Sequence, residues 1–229
     1  MPWEPLKSLC SMRCKTILIA AALFSITSAF AQGSTEYRLW SSVGYQWKPT
    51  EDLKLTHAFL YRELTGLETD RYIFESELDK KSGNWDYSAE LRYYFNHDEF
   101  GAVQGFDQRG RIRLLAERSY KDIQGTFKMR YAIQHREIYL GGGSRKTDFR
   151  VRAAYEMGIK DFGWDPEFQI EYLGTLTGDY NKRLRVGFDC GDNFGKTALG
   201  LGYFYERNLS NTGFHYHSIT ASYTFKSYK

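Results

Sequence analysis

The residues best placed to do chemistry in this sequence are full charges that recur at every second position. Glu75, Glu77 and Glu90 form one group. Arg111, Arg113, Lys128, Arg130, Arg150 and Arg152 follow, then Glu167 and Glu171, then Arg183 and Arg185. Side chains two apart share one face of a β-strand, so each group is a charged patch on a sheet. Two chemistries fit such patches in a confined space. Acids and bases pair across a narrow lumen, because an unpaired buried charge is costly and small barrels are filled by their own side chains. Alternatively, the arginines line a path for small anionic solutes, as charged rings do in selective pores.

Other chemistry-bearing motifs are thinner. His215 and His217 put two imidazoles on one face of a strand, but no third ligand stands near them, so they read as rim residues and no metal centre is expected. Gly141-Gly142-Gly143 lacks the Lys-Ser/Thr and helix of a phosphate loop, and Asp161-Phe162-Gly163 stands without other kinase motifs. No Gly-x-Ser-x-Gly elbow occurs and no Ser–His spacing recommends itself, so no catalytic residue and no cofactor is assigned. Triads assemble in space, however, which keeps an outer-membrane lipid-modifying enzyme as an alternative.

The elements that must position these charges are strands. Trp85, Tyr87, Ala89, Leu91, Tyr93 and Phe95 alternate with Asp86, Ser88, Glu90, Arg92, Tyr94 and Asn96. The same alternation runs through Phe127 to Gln134 and Phe149 to Lys160. Eleven strand-like segments follow: 36–48, 53–64, 71–81, 85–96, 110–119, 125–136, 148–160, 165–173, 182–190, 196–206 and 213–226. Bacterial single-chain barrels favour even counts, so the expectation is ten regular strands plus an irregular first segment, or twelve. Short connections (49–52, 82–84, 120–124, 161–164, 191–195) alternate with longer ones (65–70, 97–109, 137–147, 174–181, 207–212). That segregation predicts short periplasmic turns and long outer loops.

The first 31 residues read as a secretion signal. Lys7, Arg13 and Lys15 precede an apolar run at 16–26, and Ala29-Phe30-Ala31 is a small-x-small cleavage site. The apolar run is shorter than the ~20 residues a membrane-spanning helix needs. The rest, 32–229, reads as one domain, with no linker or low-complexity tract. Removing 31 of 229 residues leaves 198, with 28 basic and 27 acidic side chains, so the net charge is only +1 and no nucleic-acid partner is indicated. Cys190 is the single cysteine left, which excludes an intrachain disulfide. Mean hydropathy is −0.55 and no long apolar segment remains, which excludes a helical membrane protein. Aromatic residues at 17%, with 18 Tyr, suit the girdles of a membrane barrel.

The reading is therefore an all-β, antiparallel up-and-down transmembrane β-barrel of about 10–12 strands in the cell outer membrane, with Leu91, Tyr93, Met129, Ile133, Val151 and Tyr155 toward lipid. A soluble periplasmic lipocalin-like barrel has the same period with its faces exchanged. Leu39-Trp40-Ser41-Ser42-Val43-Gly44, the strand Tyr72 to Leu78 and the ending Ser222-Tyr223-Thr224-Phe225 carry a resemblance. On these residues the chain resembles an uncharacterised bacterial family, a domain of unknown function, of predicted outer-membrane β-barrel proteins. The resemblance implies fold, location and insertion by the barrel-assembly machinery, but no activity and no functional residues. One departure is that Lys226-Ser227-Tyr228-Lys229 follow the terminal aromatic Phe225. The expected role is porin-like passage of small anionic solutes through a narrow, largely filled lumen.

Overall fold

The computed structural model describes residues 34–64, 68–98, 105–122, 124–140, 145–159, 162–177, 181–210 and 214–228. The signal reading at 1–31 and the Gly141–Gly143 segment lie outside these residues. Eleven strands follow one another: β1 Ser34–Lys48, β2 Leu53–Leu64, β3 Glu68–Ser82, β4 Trp85–Asp98, β5 Gly105–Lys121, β6 Gly125–Leu140, β7 Lys146–Met157, β8 Asp165–Thr177, β9 Lys182–Phe194, β10 Thr197–Asn208 and β11 Phe214–Tyr228. Each pairs antiparallel with its neighbour in sequence, and β1 closes on β11 to give a barrel.

The count and the closure correct the sequence expectation. The first segment is neither irregular nor partly paired. β1 runs parallel to β11 from Ser34↔Phe214 to Lys48↔Tyr228 and antiparallel to β2 from Arg38↔Leu64 to Trp47↔Leu55. An odd number of up-and-down strands leaves the first and last pointing the same way, so their seam must be parallel.

The strands also run longer than the alternation alone marked, and the loop asymmetry shrinks as a result. One rim, here the lower, carries linkers 49–52, 83–84, 122–124, 158–164 and 195–196. The upper rim carries 65–67, 99–104, 141–145, 178–181 and 209–213. The rims are nearly alike in linker length, because the polar segments 97–98, 105–109 and 137–140 extend strands instead of forming loops. Two of the lower turns are two-residue hairpins in which Gly83 and Gly195 take φ of +61°, a conformation side chains beyond glycine adopt at a cost.

The faces are sharply different. On β4, Tyr87, Ala89 and Leu91 are exposed while Glu90, Tyr94 and Asn96 are buried. Outside lie Leu91, Ile112, Leu114, Ile133, Val186, Leu201 and Ile219, with Tyr93, Met129, Val151 and Tyr155 on the same outward parity. Aromatic clusters stand toward both ends of this surface. Tyr61 and Phe59 pack on Tyr72 near the upper rim; Trp85 on Tyr87, Tyr120 on Phe127 and Tyr223 on Phe225 lie near the lower. Inside, the apolar residues that are buried are few: Ile73, Tyr94, Leu115, Ala154, Leu173 and Phe204. The interior is held instead by charge.

Candidate functional site

The inward positions of β3 to β10 carry acids and bases on neighbouring strands, and strand register decides which of them meet. Glu75 stands opposite Arg92, Glu117 opposite Arg130, Arg152 opposite Glu171, and Glu206 opposite Arg185. Long guanidinium side chains also reach diagonally, within the range of cross-strand neighbours. Glu90 is the central node. It has no solvent exposure and receives Arg111 at 2.5 Å, Arg92 at 3.1 Å, and Arg113. Arg150 binds Glu171 through Nε at 3.0 Å and through its terminal nitrogen at 2.6 Å, a bidentate fork. Arg185 bridges Glu206 at 2.6 Å and Glu171 at 3.3 Å, and Arg183 adds a second cation to Glu206 at 3.1 Å. Lower down, Glu117 takes Arg130 at 2.8 Å and Arg152 at 3.2 Å, and Lys128 joins Glu156 to Glu167.

All thirteen charged residues singled out from the sequence stand on the inner face of the wall. Twelve of them enter ion pairs. Among the described residues Glu77 enters none, although it faces Glu90 directly across the β3–β4 ladder. The pairing runs laterally along the wall between adjacent strands, not across the lumen as the sequence reading had it. Partners one or two strands apart are simply closer than residues on the far side. A barrel of eleven strands, about 4.8 Å apart and tilted near 40°, has a backbone radius of roughly 11 Å.

Lateral pairing leaves space along the axis, in two cavities. The upper one, about 300 Å³, is lined by Arg38, Arg62, Arg71, Arg92, Arg109, Arg111, Arg136, Arg150, Arg183 and Arg185, with Glu206 the one acidic wall residue among the described residues. The lower one, about 460 Å³, is of mixed sign, with Glu51, Asp52, Glu75, Glu77, Asp79, Asp86 and Glu117 facing Lys48, Lys54, Lys81, Arg92, Arg113 and Arg130. Arg92 borders both and is itself bound to Glu90.

The upper cavity holds the residues that sequence reasoning missed. Arg38, Arg62, Arg71, Arg92, Arg109 and Arg136 join it from β1, β2, β3, β4, β5 and β6. Their guanidinium groups are held flat by aromatic faces or by shared carboxylates. Arg62 lies 3.7 Å over the ring of Trp40 and Arg38 lies 3.7 Å over Tyr216, while Arg185 covers Phe204 at 4.3 Å. Asp70 serves both Arg71, at 2.7 Å, and Arg62, at 3.6 Å. The β2–β3 register shifts there, and Asp70 is the extra residue of the bulge. A bulge re-aims a side chain, which explains how Asp70 reaches the interior against its parity. Register also shifts beside Arg109, which lines the cavity, and beside Asp148, which pairs with the lining Arg136.

Sharing is the general rule in the upper half. The ten arginines, with Arg113, draw on eight carboxylates among the described residues: Glu36, Asp70, Glu75, Glu90, Asp107, Asp148, Glu171 and Glu206. A surplus of positive charge follows. The Nε atoms of Arg38 and Arg111 are buried without a hydrogen-bond partner among the described residues, and that of Arg62 lies 3.6 Å from Asp70. The signal for this was present in the alternation of Arg92 with Tyr94 and of Phe204 with Glu206. The neighbour relations that gather ten arginines depend on register and closure.

Three further groups bear on chemistry. Carboxylate oxygens of Glu75, Glu77 and Glu90 lie within 4.8 Å of one another, but guanidinium groups already hold Glu75 and Glu90. His215 and His217 are on the outer face, each bonded through Nδ1 to a tyrosine hydroxyl, Tyr205 at 2.6 Å and Tyr203 at 2.7 Å. Register also brings together a Ser–His pair that the sequence spacing hid: His57 Nδ1 and Ser76 Oγ, 2.8 Å apart and exposed on the outer face. On that face their ladder neighbours are Tyr45 and Leu91, so no carboxylate orients the imidazole. The surrounding backbone N–H groups are engaged in the sheet, which leaves no donors for an oxyanion.

Comparison of the chain with protein-family models, with curated proteins and with solved structures finds no match in any of the three.

Proposed function

We propose that this chain is an outer-membrane β-barrel whose charged lumen is a narrow, selective path for small anionic solutes. The observation that carries the location is the inversion of the faces. Large apolar side chains such as Leu91, Ile112, Leu114 and Ile219 are more than half exposed outside, while Glu90, Glu171 and Glu206 are almost fully buried inside. A water-soluble barrel of lipocalin type requires the reverse, and a contiguous apolar surface of this extent needs a covering phase. Strands of 12 to 17 residues are long enough, since a tilted strand crosses hydrocarbon in about 9–11. Aromatic clusters toward both ends of the apolar surface fit the two membrane interfaces.

The solute class is read from the upper cavity. Ten arginines line it and, with Arg113, share eight carboxylates among the described residues, a balance that favours anions and repels cations. Ion pairs there must exchange partners for a solute to pass, so conductance should be small. The test has two parts. Mature protein should fractionate with outer membranes and show heat-modifiable gel mobility; recovery as a detergent-free periplasmic monomer would overturn the location. In a planar bilayer under a salt gradient, the reversal potential should report anion preference, and Arg136→Gln with Arg183→Gln should weaken it. Silence toward every small anion, or cation preference, would remove the transport reading.

A further inference from the structure

We infer that the upper cavity is a saturable binding site for one compact multivalent oxyanion, a solute carrying two or more phosphate or carboxylate charges. The inference deepens the reading of the lumen as an anion path and rests on it. Three observations carry it. The first is charge. Among the described residues, the ten arginines and Arg113 share eight carboxylates, and a positive surplus in a confined, low-dielectric space calls for a counter-anion. The second is presentation. Arg62 is buried to 9% exposure and stacked on Trp40, and Arg38 is stacked on Tyr216, so both guanidinium planes are fixed at the cavity wall. Stacking removes rotamer freedom and leaves the edge of the guanidinium as a fixed fork, the geometry that takes phosphate or carboxylate bidentately. The third is enclosure. A volume of about 300 Å³ lies at the small end of ligand cavities, and Arg92 and Arg111 in its wall are anchored on the buried Glu90. A monovalent ion satisfies one fork and leaves the others unpaired. An oxyanion with two charged groups engages arginines from opposite sides, Arg62 from β2 and Arg136 from β6, and binds far more tightly.

The experiment uses the full mature chain purified in lipid-free neutral detergent micelles, titrated calorimetrically at constant ionic strength with sodium pyrophosphate and, separately, with sodium acetate. Expected is one saturable pyrophosphate site, at least tenfold tighter than acetate. Arg62→Gln should weaken it tenfold or more, and Arg130→Gln, in the lower cavity, should leave it unchanged. If Arg62→Gln does not refold to the heat-modifiable form, Arg38→Gln replaces it. Equal affinity for both anions, no saturable binding, or pyrophosphate binding indifferent to the upper-cavity substitution would overturn the inference. Failure here with anion-selective conductance intact separates this claim from the proposed function. Binding without conductance sinks the path and leaves the site.

Discussion

Glu77 and Glu90 face one another across β3 and β4, yet their environments are opposite in kind. Three guanidinium groups converge on Glu90, and Glu77 has no ion pair among the described residues. Removing one member of a buried ionic cluster strands its partners and costs about 3–5 kcal/mol. Glu90→Gln should therefore lower unfolding stability in micelles by that order, measured by urea titration. Glu77→Gln removes a like charge from beside Glu90 and breaks nothing, so its effect should stay within about 0.5 kcal/mol. Similar costs at the two positions would contradict the account of the interior as an ion-pair lattice. The difference between these acids could not be read from their sequence spacing. Both sit at alternate positions of strongly patterned strands; only register shows that Glu90 lies beside Arg111 and Arg113.

At the scale of the strand, alternation carried most of the fold. The segment 53–64 coincides with β2, and the inward and outward faces of β4, β6 and β7 follow the residue pattern directly, because a period of two admits one register of burial. The upper halves of β5 and β6 were not legible. Polar residues there alternate with polar residues, as in Asp107-Gln108-Arg109, so the pattern looks like a loop while the backbone continues its ladder. Arg62 was missed for a related reason: Tyr61-Arg62-Glu63 reads as a polar strand end, and a bulge opposite it brings Asp70 to its side. The face assignment itself makes a prediction. Ile133→Arg places a charge on the outer surface and should destabilise the protein folded into bilayer vesicles by roughly 2–4 kcal/mol near the midplane. Thr56→Arg projects inward opposite Glu77 and should be neutral or stabilising by the same measurement. Equal losses at both positions would mean that the outer face does not meet lipid.

At the scale of the whole molecule, the odd strand count has a topological consequence. With eleven up-and-down strands, β1 begins at the upper rim and β11 ends at the lower, so the two ends of the sheet lie on opposite sides of any membrane it crosses. An even barrel would put them on the same side. The parallel seam is continuous over fifteen residue pairs, and β1 is bonded on its other edge to β2, which argues that β1 is an integral wall strand. Sequence could not reveal this. Parity of the count depends on whether the first segment pairs at both edges, and pairing across the full chain length leaves no local trace. Cysteine labelling distinguishes the two arrangements in intact cells. In a Cys190→Ser background, Thr35→Cys, Ser210→Cys and Asn84→Cys each place an exposed thiol near a rim: Thr35 and Ser210 at the upper, Asn84 at the lower. A membrane-impermeant maleimide reaches one side only, so Thr35→Cys should label whenever Ser210→Cys does and never alongside Asn84→Cys alone. Thr35→Cys behaving like Asn84→Cys would show that β1 does not start at the upper rim. The parallel closure, and with it the contribution of Arg38 from β1 to the arginine cavity, would then have to be abandoned.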